Sequence, residues 1–276
     1  MPASNPPPYI PMGTHNRKKY DSRAPMSDSG ILVSMGVYDG VTGVNKFGSN
    51  AAVGTAFEDV WTLGGKHVEF SGAALVEVAS TSANDTAAGT GARTITIYGL
   101  DTAGLEVSES VTLNGTTPVA ATLTYLHVHR IRVDTAGTGL TNAGTITVAN
   151  VATAWVAGVA STATDVEVQV PVGYGQSQCC RYTIPAGKTG YITNIYIIAA
   201  ASKTVTFQLI QAIDSGVERV TFEGTLINSE FLHRFGPAVS VPENTTILMR
   251  AKVDVGTAEV SAGIDLVLID NATYNL

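Results

Sequence analysis

Three places in the 276-residue chain bring together side chains of types that do chemistry. His127-Val128-His129 sets two imidazoles two residues apart in a β-prone run, so both project from one face of a strand. Such a pair begins a metal site only if a carboxylate follows closely and another histidine arrives from a later strand. Asp134 is a poor candidate for the first role, and His233 is the only later histidine. Zinc and iron sites need at least three protein ligands in defined geometry. The expected role of the segment is therefore a polar, subunit-facing surface built by Tyr125, His127, Arg130 and Arg132. Cys179-Cys180 are adjacent, so on a strand they point to opposite faces and cannot readily bond to each other. Two small, reduced, partly buried side chains are expected there, with no histidine nearby in sequence to serve as a base. Ala186-Gly187-Lys188-Thr189 has the ending of a phosphate-binding loop, but position 182, where the first glycine belongs, is Tyr182. A β-rich run, not a helix, follows it. No Asp-rich calcium loop is visible. The expectation is no catalytic residue, no cofactor and no metal: not an enzyme.

The elements that carry these residues read as strands. In Thr94-Ile95-Thr96-Ile97 the odd positions are apolar. After Asp101-Thr102-Ala103-Gly104, the odd positions Leu105, Val107, Val111 and Leu113 are apolar again, with Glu106, Ser108, Ser110 and Thr112 facing the other way. Period two across a short Gly-containing connection predicts a hairpin with one buried face. Asn114-Gly115 supplies the left-handed backbone angles of a tight turn. A third strand is predicted over 122–133 and a fourth over 145–149. Residues 150–170 read as a connector around Trp155. Later strands are predicted near 180–184, 190–199, 204–212, 217–226, 245–253 and 259–269. Pro185 and Pro242 each fall just past a strand, where no ladder donor is lost. Many short strands at this spacing predict an all-β chain: an extended N-terminal arm over residues 1–35, a first β-sandwich domain over 36–155, and a second, jelly-roll-like sandwich over 156–276.

Composition narrows the function classes. Charged residues make up only 14% of the chain, against roughly 25% in an ordinary soluble domain. The net charge of −7 is not that of a nucleic-acid binder. The longest unbroken apolar run, Ile195 to Ala201, is far short of the roughly 20 residues of a spanning helix. The N-terminal stretch lacks an apolar core of the signal-peptide kind, so neither export nor membrane insertion is expected. Two cysteines cannot build a disulfide framework, and the sequons at Asn84, Asn114, Asn244 and Asn271 carry little weight without a leader. In the arm, Arg17, Lys18, Lys19 and Arg23 outnumber Asp21 and Asp28 by two, so residues 36–276 hold −9. A basic, Pro-rich arm on an acidic body reads as a strap that orders on a partner. Tyr9, Ile10, Arg17, Lys18, Lys19, Tyr20 and Arg23 are its candidate partner-binding residues, and Pro6-Pro7-Pro8 keeps it extended before binding.

Two stretches carry a family resemblance. Ser82-Ala83-Asn84-Asp85-Thr86-Ala87-Ala88-Gly89-Thr90-Gly91-Ala92-Arg93, continuing through Tyr98-Gly99-Leu100-Asp101 to Val111-Thr112-Leu113-Asn114-Gly115, resembles virion structural proteins of tailed bacteriophages. Tyr182-Thr183-Ile184-Pro185-Ala186-Gly187-Lys188-Thr189 resembles the opening of a phage β-sandwich module. The resemblance implies a capsid decoration (cement) protein on the exterior of the virion, made in the host cytoplasm. It would be a homotrimer contacting the major capsid protein and neighbouring copies of itself, with no nucleic acid or membrane partner. The alternative it implies is a phage tail, adaptor or fibre protein with a receptor-binding role. A cupin-like metalloenzyme is a third class, resting on His127 and His129 alone.

Overall fold

In a computed structural model of the chain, residues 29–199, 203–213, 216–227 and 230–275 are described. In chain order the strands are β1 (Val41–Val53), β2 (Glu58–Asp59), β3 (Ala74–Ser80), β4 (Ala92–Leu100), β5 (Glu106–Thr112), β6 (Val119–Tyr125), β7 (His127–Ala136), β8 (Ile146–Asn150), β9 (Trp155–Val156), β10 (Val159–Ala160), β11 (Val166–Val170), β12 (Arg181–Thr183), β13 (Lys188–Ala199), β14 (Thr204–Ile213), β15 (Glu218–Ile227), β16 (Glu230–Val241), β17 (Thr245–Val253) and β18 (Ala258–Asp270). Two short helices, α1 (Ser29–Ser34) and α2 (Asn271–Tyr274), flank them. The chain is all-β, in several antiparallel sheets. Of the expected extended arm, the described residues include α1, so its last turn is helical; there Val33 packs toward Gly43 of β1.

Two apolar cores organise the sheets. The first lies between β11-β8-β3-β6 and β5-β4-β7. The predicted hairpin is present as β4 and β5, with Ile95 opposite Val111 and both buried. Gly115 closes the next turn at φ +62°, a conformation a glycine adopts without strain. The strand predicted over 122–133 is in fact two. It bends at Leu126, whose amide donates to the Leu100 carbonyl (2.8 Å); β6 pairs with β3 and β7 with β4. One continuous stretch of chain, alternating apolar and polar residues, thus turns the corner between sheets, with Tyr125 wholly buried at the bend.

The second core lies between β1-β18-β13-β16 and β12-β17-β14-β15. Along β18, Val260, Ala262, Ile264, Leu266 and Leu268 point inward at strict period two. In β13 the inward phase changes from Ile192 to Ile195 and Ile197, because a bulge between Ile192 and Asn194 inserts one residue against β18; the register with β16 shifts at the same place. Each such aliphatic side chain, fully buried, contributes roughly 1.5–3 kcal/mol.

Strands on both sides of residue 155 contribute to each core. Val53 and Val60 pack in the second core, while Val166, Val168 and Val170 pack in the first. The path therefore starts in the second core, leaves after β2, builds the first core from β3 to β11, and returns at β12. The crossing is tight: a Cβ on Gly48 would lie 2.3 Å from the Cys180 amide nitrogen and 2.4 Å from the Val60 carbonyl, so β1 can pass there only as glycine.

Candidate functional site

The return crossing runs through Cys179-Cys180-Arg181-Tyr182, and strand alternation sorts these four side chains. Cys179 enters the first core and Cys180 the second. The expectation of two free thiols on opposite faces holds, and burial pushes both thiols above their ordinary range, away from the thiolate a nucleophile needs. Arg181 is buried in a polar seam between the two cores, where side chains from five segments meet.

Within that seam, Arg181 donates to Glu69 through Nη1 and lies 3.4 Å from Glu167 Oε2 through Nη2. His127 Nδ1 donates to Glu69 Oε2 (2.9 Å). Burial alone would raise the Glu69 carboxyl, but the Arg181 charge and the His127 hydrogen bond outweigh it and hold it well below the usual carboxylate range. Burial also works against the Arg181 charge, and Glu69 and Glu167 more than compensate. His67 Nε2 lies 3.5 Å from Glu167 Oε2. Its ring meets Trp61 edge-on at 4.9 Å, and its backbone amide is held by Asp59 (2.8 Å).

On the other side of the seam, Lys46 of β1 donates to the His129 carbonyl (2.6 Å). Burial pushes its ammonium down to about 8, and among the described residues no carboxylate pairs with it. Burial, and then the charges of Lys46, His127 and Arg181, hold His129 well below its ordinary value, so its ring is neutral at pH 7. His129 Nε2 accepts from the Thr183 amide (3.3 Å), which places the ring proton on Nδ1. A cleft of about 260 Å³ opens beside these groups, lined by Lys46, Tyr98, Glu106, His129, Arg130 and Tyr182. Its carboxylate, Glu106, is already engaged by Lys188 (2.9 Å) and the Tyr182 hydroxyl (3.4 Å).

The sequence candidates fall as follows. Tyr9, Ile10, Arg17, Lys18, Lys19, Tyr20 and Arg23 lie outside the described residues. His127 and His129 do share a face, with rings 6.5 Å apart and 19° from parallel, yet each is engaged separately. Asp134 is taken by Arg132 (2.9 Å), and His233 sits on β16 among Phe222, Phe231 and Phe235. The polar surface expected from Tyr125, His127, Arg130 and Arg132 is not formed as such. Tyr125 is in the first core, and His127 turns inward to Glu69; Arg132 alone of these stands well out in solvent. Gly187 forms a turn at φ +76° and β13 follows it, as the missing helix signal implied.

Sequence reasoning missed His67, Glu69, Glu167 and Lys46. Glu167 gave no signal of its own, because it sits on the polar phase of the alternating stretch Val166-Glu167-Val168-Gln169-Val170. Sequence reasoning also missed the purpose of Asp85. This buried carboxylate accepts from Ser80 Oγ (2.6 Å) and from the amides of Ala92 (2.7 Å), Ala143 (2.8 Å) and Gly144 (2.8 Å), pinning two loops to one another.

No protein-family model and no curated protein matches the chain. Among solved structures, it is similar to a chain of the infectious bursal disease virus particle, at 10% identity and a TM-score of 0.27 over 84% of this chain and 70% of that one. The particle of the Gt strain of that virus gives 12% identity and a TM-score of 0.25, covering 86% and 74%. The PBSX exported protein XepA gives 10% identity and a TM-score of 0.18, covering 80% and 86%. Superpositions this loose define neither a shared fold nor a shared function.

Proposed function

We propose that the chain is a structural component of a tailed-bacteriophage virion: a decoration, or cement, protein that binds the outside of the head. In this reading the two cores are two β-sandwich domains, the one built by β3–β11 set into the other, which is jelly-roll-like. The observation that carries the reading is the pair of open edge strands on the second core. β15 has its ladder to β14 and β16 its ladder to β13, which leaves their outer backbone groups facing outward. Their exposed apolar side chains include Val220 and, at 73% exposure, Leu232. An unpaired edge is a template for pairing with another chain, and Glu218, Arg219, Glu223, Glu230, Arg234 and Pro237 on these two strands restrict which chain can pair there. The low charge content of the chain as a whole, 14%, suits permanent contact with neighbours. The motif resemblance of residues 82–115 and 182–189 points to the same setting.

The clamp works by avidity. A homotrimer holds three linked contacts to the major capsid protein, so a modest area per contact suffices. The basic arm adds contacts, with Tyr9, Ile10, Arg17, Lys18, Lys19, Tyr20 and Arg23 against acidic or carbonyl-rich surface. No catalytic step is assigned to the seam. Re-addition of purified protein to undecorated heads tests the reading. The full chain is expected to saturate the head surface, and a variant lacking residues 1–30 to fold but bind with sharply lower occupancy. Failure of the full chain to bind heads, or its recovery with tails instead, contradicts it.

A further inference from the structure

We propose that His67, Glu69 and Glu167 form a binding site for one divalent transition-metal ion of the zinc class. The site ties the irregular segment before β3 to β11, across the seam between the two cores. One ligand atom from each of the three residues can be chosen so that all lie within 4.8 Å of one another, the spacing of donors around a single ion.

The independent observation is what these atoms lack. The His67 side chain is 2% exposed and that of Glu167 0%. Yet neither ring nitrogen of His67 has a hydrogen-bond partner, and neither does Glu167 Oε1. Buried polar atoms are almost always satisfied, and three orphans on two facing side chains are expensive in an otherwise paired interior. A metal ion satisfies an imidazole nitrogen and a carboxylate oxygen at once.

The surroundings fit a resident cation. Glu69 and Glu167 face a single guanidinium, so the cluster keeps one negative charge in excess. Arg181 takes Glu69 Oε1 and approaches Glu167 Oε2, which leaves Glu167 Oε1 unpartnered and, on Glu69 Oε2, the lone pair that His127 does not use. His127 donates to Glu69 Oε2, the arrangement in which an outer imidazole orients a ligating carboxylate. Glu69, with 36% of its side chain exposed, forms the open side by which an ion enters. One imidazole with two carboxylate oxygens suits zinc. Calcium would take an all-oxygen set, and magnesium would keep most of its water. The ion's role is structural. Residues 66–70 belong to no strand, and a bond from His67 to Glu167 would anchor them.

The test uses the full chain purified on a histidine-free tag, stripped with a chelator and then titrated with Zn²⁺. The expected result is one equivalent of zinc per chain by elemental analysis, with a thermal midpoint several degrees higher than in the stripped protein. Co²⁺ in the same wild-type protein should give visible d–d absorption, a readout that needs no variant. His67→Gln should abolish stoichiometric binding, and His127→Gln should weaken it about 10-fold. Stripped wild-type protein that takes up neither Zn²⁺ nor Co²⁺, or a folded His67→Gln variant that still binds one equivalent, overturns the proposal.

Discussion

Asp85, in the loop between β3 and β4, and Glu167, on β11, are both wholly buried carboxylates beside the first core, and their surroundings differ in one respect. Asp85 accepts from one hydroxyl and three backbone amides, all between 2.6 and 2.8 Å, so its charge is spread over donors that the fold itself supplies. Glu167 has a guanidinium at 3.4 Å and an imidazole nitrogen at 3.5 Å, and one oxygen with nothing. The first carboxylate is finished by its own chain. The second is left for something else. A buried charge with complete hydrogen bonding marks structure, and one with incomplete bonding marks a place where the fold expects a ligand.

The sharpest way to break this comparison is to remove each partner in turn. Asp85→Ala strands three buried or half-buried backbone amides, that of Ala92 at the start of β4 and those of Ala143 and Gly144 in the loop before β8. A loss on the order of 4 kcal/mol is expected in urea unfolding. Arg181→Met leaves Glu69 and Glu167 facing each other without a counter-charge. About 3 kcal/mol should be lost in metal-free protein, and added Zn²⁺ should restore more stability to this variant than to wild type.

Lys46 tests the other side of the seam through pH. Its ammonium is held near 8, against an ordinary value of 10.5, so folded and unfolded chains bind the same proton below about pH 8 and the full cost of burial is present there. Between about 8 and 10.5 the unfolded chain binds the extra proton, and this group's contribution to stability rises with pH. Lys46→Met is therefore expected to be favoured over wild type by roughly 2 kcal/mol at pH 7, an advantage that shrinks by about 1 kcal/mol per unit above pH 8. Parallel denaturation series at pH 7, 8, 9 and 10 would measure it, and an advantage that grows with pH would refute the burial argument. The smallest effect belongs to the Tyr125 hydroxyl, which is buried with no hydrogen-bond partner. Tyr125→Phe should be neutral or raise stability by up to about 1 kcal/mol, because nothing is left unpaired when it goes.

Legibility followed how plainly each element divides inside from outside. β4 and β5 alternate apolar with polar residues and lie where they were expected. β18 does the same. β1 was invisible because its inward positions are Lys46, Gly48 and Asn50, chosen for the seam and the tight crossing rather than for an apolar face. β16 was missed because it interleaves aromatic residues with Leu232 and Arg234 on an open edge and carries Pro237. Glu167 falls on the polar phase of Val166-Glu167-Val168-Gln169-Val170, which in a one-sided sheet points to water. Its burial comes from Arg181 and His67, which arrive from 14 residues later and from the far side of β3 to β8. No local pattern encodes that meeting.

The functional reading is tested most directly by a reconstruction of the particle that carries this protein. The account predicts both β bodies as ordered density on the outside of the head, clustered about local three-fold positions, with the open edges of β15 and β16 covered by a neighbouring chain. Density confined to the tail or its fibres, or a purified particle that lacks the chain altogether, would contradict it.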